Sequence, residues 1–370
     1  MGLQEEILSK SAQIKTDSYS MSIGELVNLY RDRDLDIHPE FQRVYRWTDY
    51  QKTRLIESVL LGIPIPPIFV AQRQDGVWDV VDGVQRLSTI LQFMGELLNE
   101  KRTPVQPLIL QKTKFLPSLE GKKWKAEKKN DPNAFTREQQ LYVKRAKIDV
   151  NIVLKESDEK SKYELFMRLN TGGSDLSAQE VRNCLMIMAY PETYKWIQKL
   201  ADVHEFRGSI SISDQAILEQ YHMELATRFV VFRKLPEAEL SNVGDIGEFL
   251  NESLEKIHGL TANERQAEED AFNETFRVVY HELLDDAFRR YDKDKKRFLG
   301  AFSISSFETV ALGLGYNVQA DGKLPRLQSL QHKIQSIWTN KKFTDYSGSG
   351  IRASTRIPKI VPLGRELFSK

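Results

Sequence analysis

Short runs of apolar, β-branched residues alternate along the first half of the chain with stretches whose apolar residues recur every three or four positions. Residues 78–81 are typical of a buried strand, and residues 84–98 carry apolar side chains at helical spacing. Asp82 and Gly83 lie between them and form a turn signal. The pattern therefore predicts a strand, a tight turn and a helix in direct succession.

The same patterns predict the other elements of an α+β protein. Helices are predicted over residues 22–30 and 49–62, strands over residues 68–71 and 146–154, and a capped helix start at residues 177–180. From about residue 190 the periodicity is helical, with charged residues in the gaps. We therefore expect an α+β domain over residues 1–189 and a mostly α-helical domain over residues 190–370.

The predicted turn carries residue types that can bind an anion and a metal ion. Gly83 permits a sharp bend and a close ligand approach, and the amides that begin a helix favour a phosphate. Arg86, in the first helical turn, could bind a phosphate with two donors, and Asp82 could hold a metal ion or orient a water molecule. An ordinary strand–helix junction with a capping Asp explains the local pattern equally well.

Three other stretches contain residue types that suit nucleotide binding. Residues 37–47 interleave arginines with aromatic residues, residues 170–177 contain two adjacent glycines, and residues 343–359 combine Gly, Ser and Thr with three cations. The last stretch suits a flexible loop that closes over phosphates. Each also has a plainer interpretation: an amphipathic segment, a loop with a helix cap, and a disordered tail, respectively.

Composition narrows the classes of function. Lys and Arg number 53 and Asp and Glu 52, so the net charge is +1, and any DNA contact must come from a local patch such as residues 122–129 or the tail. The single cysteine, Cys184, excludes a disulfide framework. The six histidines show neither paired metal spacing nor a His-Asn-His nuclease signature. With no membrane-spanning run and no signal-peptide pattern, we expect a cytoplasmic protein.

Taken together, three motifs resemble the N-terminal domain of GmrSD-type restriction endonucleases. They are residues 41–47 (FQRVYRW), residues 55–67 (LIESVLLGIPIPP) and residues 81–90 (VDGVQRLSTI). Residues 169–183 and the Ser/Gly/Arg tail are also similar to that family. Members usually carry Asp-Gly-Gln-Gln-Arg, whereas Val84 replaces the first Gln in this chain. The resemblance is firmest over residues 37–185.

The resemblance implies a ParB/sulfiredoxin-like core whose strand–turn–helix motif binds nucleotide phosphates. It implies catalytic roles for Asp82, Gln85 and Arg86, with Asp82 also holding Mg²⁺ or another divalent metal beside a nucleoside triphosphate. The remaining residues that we predict to contact the nucleotide are Arg43, Trp47, Gly83, Asn170, Gly172, Gly173, Arg352 and Arg356.

The function that the resemblance implies is a nucleotide-binding NTPase within a restriction-like anti-phage defence system that acts on DNA, including modified phage DNA. Because this chain lacks a His-Asn-His signature, we expect a separately encoded nuclease subunit to cut the DNA. A homo-oligomer is compatible with this function, and no membrane partner is expected. Two alternatives remain open: a non-enzymatic DNA-binding regulatory module, and a ParB-like nuclease that nicks DNA with a metal at Asp82.

Overall fold

The structure is a computed structural model that describes residues 2–5, 15–37, 47–99, 101–126, 128–157, 177–325 and 329–369. The side chains of Cys184 and Met188 are outside this description. The chain forms two compact units, Met1–Leu176 and Ser177–Lys370, and each is described by itself.

The first unit is built from a mixed sheet and helices. Its described elements are β1 (Thr16–Ser22), α1 (Ile23–Asp32), β2 (Leu35–Asp36), α2 (Asp49–Leu61), β3 (Ile68–Gln72), β4 (Trp78–Asp82), α3 (Val84–Met94), α4 (Arg137–Arg145) and β5 (Lys147–Val153). The predicted elements that fall on described residues are therefore present; most ends differ by one or two residues, whereas α3 ends at Met94 and not at residue 98.

The five described strands form one sheet in the order β1-β5-β3-β4-β2. Strands β5 and β3 are parallel, as are β4 and β2, whereas β1–β5 and β3–β4 are antiparallel. Phe69 is paired with Asp82 and Ile68 with Val150, so the end of β4 and the beginning of β3 meet at one edge of the sheet, with the middle of β5 on the other side of β3. This edge is where α3 begins.

Apolar faces of the helices pack on this sheet and form a single core. In α3, Leu87, Ile90 and Leu91 are fully buried, and they belong to the same apolar cluster as Val70 and Val80 of the sheet. The helix is therefore held against the sheet along its length, which fixes the position of its first turn.

Side chains at the helix ends explain where several helices begin. The Ser22 hydroxyl accepts a hydrogen bond from the amide of Glu25 at 3.1 Å. Thr48 and Ser177 each form a capping box with the residue three positions later. Gly62 ends α2 in a left-handed conformation, as the sequence predicts.

The second unit is mostly α-helical. Its described elements are α5 (Ala178–Ala189), α6 (Pro191–Ala201), α7 (His204–Ser209), α8 (Asp214–Leu218), α9 (Tyr221–Phe232), α10 (Glu237–Leu240), α11 (Ile246–Glu252), α12 (Leu254–His258), α13 (Ala262–Leu283), β6 (Arg290–Asp292), β7 (Arg297–Leu299), α14 (Ile304–Asn317), α15 (Leu330–Ile337), α16 (Lys341–Thr344) and α17 (Ala353–Leu367). Within the described ranges, no helix combines the length and the apolar character that crossing a bilayer requires.

The observed architecture confirms an α+β fold class with a helical C-terminal region. The likeness to the ParB/sulfiredoxin fold stays a prediction. The two compact units divide between residues 176 and 177, before α5, whereas the sequence places the boundary at residue 189. Helix α5 packs on α6, and its Arg182 donates to Asn251 at 2.9 Å, so its contacts lie in the helical unit.

The prediction of a flexible loop over residues 343–359 is wrong from residue 353 onwards. Residues Ala353–Leu367 form α17, although Pro358 and Pro362 lie inside it. The helix packs along α14. The backbones of the two helices approach so closely that a Cβ on Gly364 would overlap the backbone of Thr309. Tertiary packing therefore stabilises a helix that local sequence signals disfavour.

Candidate functional site

The junction between β4 and α3 is built as the sequence predicts. β4 ends at Asp82, Gly83 turns the chain with φ +96°, and α3 begins at Val84. No side chain of the described residues caps the helix. Because the first amides of a helix have no intrahelical acceptor, this end of α3 can receive an anion.

Two independent constraints make glycine necessary at position 83. Its φ lies in the left-handed region, which other residues rarely adopt. A Cβ at this position would also lie 3.0 Å from Cγ1 of Ile68 and 3.1 Å from Nη2 of Arg86. The turn therefore brings the backbone against both β3 and the arginine of the motif.

We expect Gly83→Ala to lower the free energy of unfolding by about 2–3 kcal/mol, because left-handed strain and crowding at Ile68 add together. Gly76→Ala is the matched control, because Gly76 has φ +92° but nothing within 4 Å of an added Cβ. That control carries only the backbone strain, about 1–2 kcal/mol. Denaturant unfolding of both variants measures the difference; equal losses would show that the close approach at Gly83 is unimportant.

The two charged residues of the motif are paired with each other. Nη2 of Arg86 donates to Oδ2 of Asp82 at 2.8 Å and to the carbonyl oxygen of Pro67 at 3.1 Å. Both side chains are mostly buried, at 16% and 24% exposure. Nε of Arg86 is also buried and has no hydrogen-bond partner among the described residues. The junction thus holds a carboxylate and an incompletely satisfied guanidinium beside the free end of a helix.

A divalent cation is compatible with this junction only if most of its ligands come from elsewhere. The described residues contain no group of three or more His, Cys, Asp or Glu that could hold a metal ion. Asp82 could supply one carboxylate ligand. Mg²⁺ is commonly bound by one or two carboxylates, with phosphate oxygens and water molecules completing its octahedral coordination. The residues therefore fit a metal that arrives with a nucleotide rather than a permanent metal centre.

Other predicted site residues divide into three groups. Gln85 lies in the first turn of α3 and is partly exposed beside Arg86. Trp47 is partly buried and packs against the apolar core of the first unit. The candidates outside the described residues are Arg43, Asn170, Gly172 and Gly173. Their predicted roles stay predictions.

The two predicted tail ligands lie in the helical unit and differ in environment. Arg352 is exposed at the N-cap position of α17. Arg356 is buried, and its Nε and Nη2 donate to Glu308 at 2.7 and 3.0 Å. A phosphate could engage Arg356 only by replacing this ion pair. Their predicted contact with a nucleotide stays a prediction.

Some side chains of the basic run at residues 122–129 are bound by neighbouring residues of the first unit. Nζ of Lys122 donates to the carbonyl oxygen of Pro132 at 2.7 Å, and Lys123 pairs with Asp131 at 3.1 Å. Trp124 is buried against Phe93. Local contacts therefore account for Lys122, Lys123 and Trp124, whereas Lys125, Lys128 and Lys129 are exposed.

Sequence reasoning missed a second charged group on the same sheet. Nε of Arg73 donates to Asp79 at 2.8 Å, and its Nη2 donates to Asp36 at 3.0 Å. Although burial disfavours the charge, hydrogen bonds and attraction from Asp79 and Asp36 raise the pKa of Arg73 above its ordinary value. Asp79 lies on β4, three residues before Asp82, so this group braces the strand that ends at the junction. The signal that the sequence offered for this group was Asp79, an acidic residue within a predicted buried strand.

These observations define the class of protein: an α+β protein with a charged strand–turn–helix junction at one edge of a mixed sheet, followed by a helical unit. Residues 23–187 match the family model described as GmrSD restriction endonuclease, N-terminal domain, and this segment belongs to that family. The resemblance that the sequence motifs indicate is therefore confirmed. The match continues beyond the first unit through most of α5, in agreement with the similarity at residues 169–183.

Comparisons with curated proteins and with solved structures returned no match.

Proposed function

We propose that this chain is the nucleotide-binding and NTP-hydrolysing component of a restriction-like defence system that acts on DNA in the cytoplasm. The family name of residues 23–187 supports the link with restriction. One observation carries the nucleotide part of the proposal: Asp82 and Arg86 lie 2.8 Å apart, beside the uncapped N-terminus of α3 and the close backbone approach at Gly83.

Arg86 and the first amides of α3 would bind and orient the phosphates. The guanidinium has an unsatisfied Nε, and charge-assisted hydrogen bonds to phosphate oxygens would satisfy it. These donors are fixed in place by the packing of α3, so they can stabilise negative charge that develops during phosphoanhydride cleavage. Gln85, one residue before Arg86, would orient the attacking water.

Asp82 would hold the Mg²⁺ that accompanies the nucleoside triphosphate. The metal would neutralise phosphate charge and polarise the bond that breaks. When nucleotide binds, Asp82 would exchange part of its contact with Arg86 for the cation, and Arg86 would exchange that contact for phosphate. The intramolecular ion pair would therefore keep both groups positioned, with their opposite charges balanced, until the ligand arrives.

The DNA-cutting step is assigned to a separately encoded nuclease in this proposal. Nucleotide hydrolysis at the junction would then signal to the nuclease that DNA, including modified DNA, has been recognised. Turnover measured with and without DNA tests this division of roles: hydrolysis that DNA stimulates supports it, and plasmid nicking by the chain alone contradicts it.

We expect Arg86→Ala to weaken binding of a nucleoside triphosphate by about 1.5–3 kcal/mol, the cost of a lost charged hydrogen-bonding group. Isothermal titration with Mg²⁺ and nucleotide measures it. Arg54→Ala is the control, because Arg54 is exposed on α2. Equal affinities for wild type and Arg86→Ala would remove Arg86 from the site. Binding without turnover would instead identify a regulatory module that senses nucleotide or DNA.

A further inference from the structure

The first unit contains a groove of about 820 Å³ that the proposed nucleotide site does not use. Its walls are the end of α2, the connection from Gly62 to Ile65, helix α4 and the beginning of β5. The surface is mainly apolar. Pro64 lies within this connection, and Pro66 and Pro67 follow it directly, so the wall is stiff before any ligand binds.

Large apolar side chains are exposed along this groove. Ile63 and Tyr142 are 46% and 52% exposed, and the neighbouring Leu61 is 43% exposed. Other large apolar side chains of the first unit, such as Ile109 and Phe115, are also exposed, but they do not line this groove. A contiguous exposed apolar surface, in contrast to scattered single residues, is typical of a surface that binds a partner.

Three cations lie around the apolar surface. They are Arg137, Arg145 and Lys147, all exposed and lining the groove. Their side chains make no hydrogen bond or ion pair in the part of the chain that the structure describes. One carboxylate, Glu138, also lines the groove, so the local charge is three minus one, or +2.

Helix α4 presents these residues on one face. Arg137, Leu141 and Arg145 are spaced by four residues, which is one turn of a helix, and Tyr142 lies next to them. Val143, on the opposite face, is fully buried. The helix is therefore anchored by its inner face, and its outer face alternates apolar groups with cations that have no ion-pair partner among the described residues.

We propose that this groove is a docking surface for an acidic amphipathic segment of a partner protein. Apolar side chains of that segment would lie between Ile63 and Tyr142, with its carboxylates against Arg137, Arg145 and Lys147. Charge complementarity favours an acidic occupant, and the apolar floor favours an amphipathic one. Nucleic-acid interfaces are more polar and more densely cationic than this surface, so DNA fits it less well.

The groove and the nucleotide junction share one stretch of backbone. The segment that lines the groove continues two residues beyond Ile65 to Pro67, whose carbonyl oxygen accepts the hydrogen bond from Arg86. A docked partner would thus lie against the segment that holds the motif arginine. The docking proposal itself does not depend on nucleotide binding.

Selection from a displayed library of random 16-residue peptides on the full chain tests the proposal. We expect selected peptides to carry acidic residues that flank Leu, Phe or Trp. We expect Arg137→Glu combined with Arg145→Glu to weaken their binding at least about tenfold. Lys101→Glu combined with Lys114→Glu is the matched control, with the same charge change on exposed residues outside the groove, and should change binding less than about twofold.

Several results would overturn the docking surface. A selection that yields no binder, or binders that lack acidic residues or ignore the charge reversal, contradicts it. Loss of binding to a 20-base-pair DNA duplex in the groove variant, with peptide binding unchanged, would identify a nucleic-acid surface. A shift from dimer to monomer in sedimentation velocity would identify a second copy as the occupant. Arg86→Ala should leave peptide binding unchanged. Failure of the nucleotide proposal can therefore be distinguished from failure of the docking proposal.

Discussion

Glu308→Ala is expected to lower the free energy of unfolding of the helical unit by about 3–5 kcal/mol, because it leaves buried arginines without their carboxylate. Glu308 is 0% exposed on α14. It accepts from Nη1 of Arg228 at 2.7 Å and from Nε of Arg356 at 2.7 Å. One carboxylate therefore compensates two buried guanidinium groups, on α9 and α17.

The rest of this cluster cannot replace Glu308. Arg228 is also paired with Glu224 at 2.6 Å, but Glu224 already faces Arg182. Although burial opposes ionisation, Arg228 and Arg182 hold the pKa of Glu224 below its ordinary value. The stabilisation from Glu224 is therefore present at neutral pH and is lost as the pH falls through its lowered folded pKa.

Denaturant unfolding followed by near-ultraviolet circular dichroism measures the effect of Glu308→Ala. Because the chain has two compact units, the transition of the helical unit has to be resolved from that of the first. Glu255→Ala is the control, since Glu255 is exposed on α12 in the same unit. A loss below about 1 kcal/mol, the value of an exposed pair, would contradict the structural role of the cluster.

Asp82→Asn is expected to reduce Mg²⁺-dependent turnover of a nucleoside triphosphate by at least about 100-fold, because a metal contributes several kcal/mol to phosphate chemistry. Asparagine keeps the shape of the side chain but removes the charge that would hold the cation. Loss of the ion pair with Arg86 should cost about 1–3 kcal/mol of stability, because the mostly buried guanidinium keeps only a neutral acceptor.

Steady-state phosphate release over a range of Mg²⁺ concentrations measures the effect of Asp82→Asn. Asp34→Asn, which changes an exposed carboxylate in the same unit, is the control. Nucleotide binding in the absence of Mg²⁺ should be nearly unchanged in Asp82→Asn. Wild-type turnover in that variant would place the metal, or the whole reaction, elsewhere.

The strand–turn–helix junction could be predicted because its signals are local. A β-branched run, an Asp-Gly turn and helical spacing after Val84 all lie within about twenty residues of sequence. Helix starts at Ser22 and Ser177 were predictable for the same reason, since a capping side chain binds an amide only three residues away.

Features that depend on distant partners could not be predicted in this way. The group of Arg73, Asp79 and Asp36 requires the parallel pairing of β2 with β4, which no local pattern specifies. Helix α17 contains two prolines and follows a Gly/Ser-rich segment, yet its packing on α14 and the pair between Arg356 and Glu308 stabilise it. Long-range contacts therefore decide both features, and in α17 they outweigh local propensity.

The structure of the chain in complex with Mg²⁺ and a non-hydrolysable nucleoside triphosphate tests the nucleotide site most directly. The account predicts phosphate oxygens within hydrogen-bond distance of Arg86 and of the first amides of α3, with the cation bound by Asp82. It also predicts that the 2.8 Å contact between Asp82 and Arg86 is loosened or shared with the ligand. Phosphates bound elsewhere, with that ion pair intact and α3 uncapped, would contradict it.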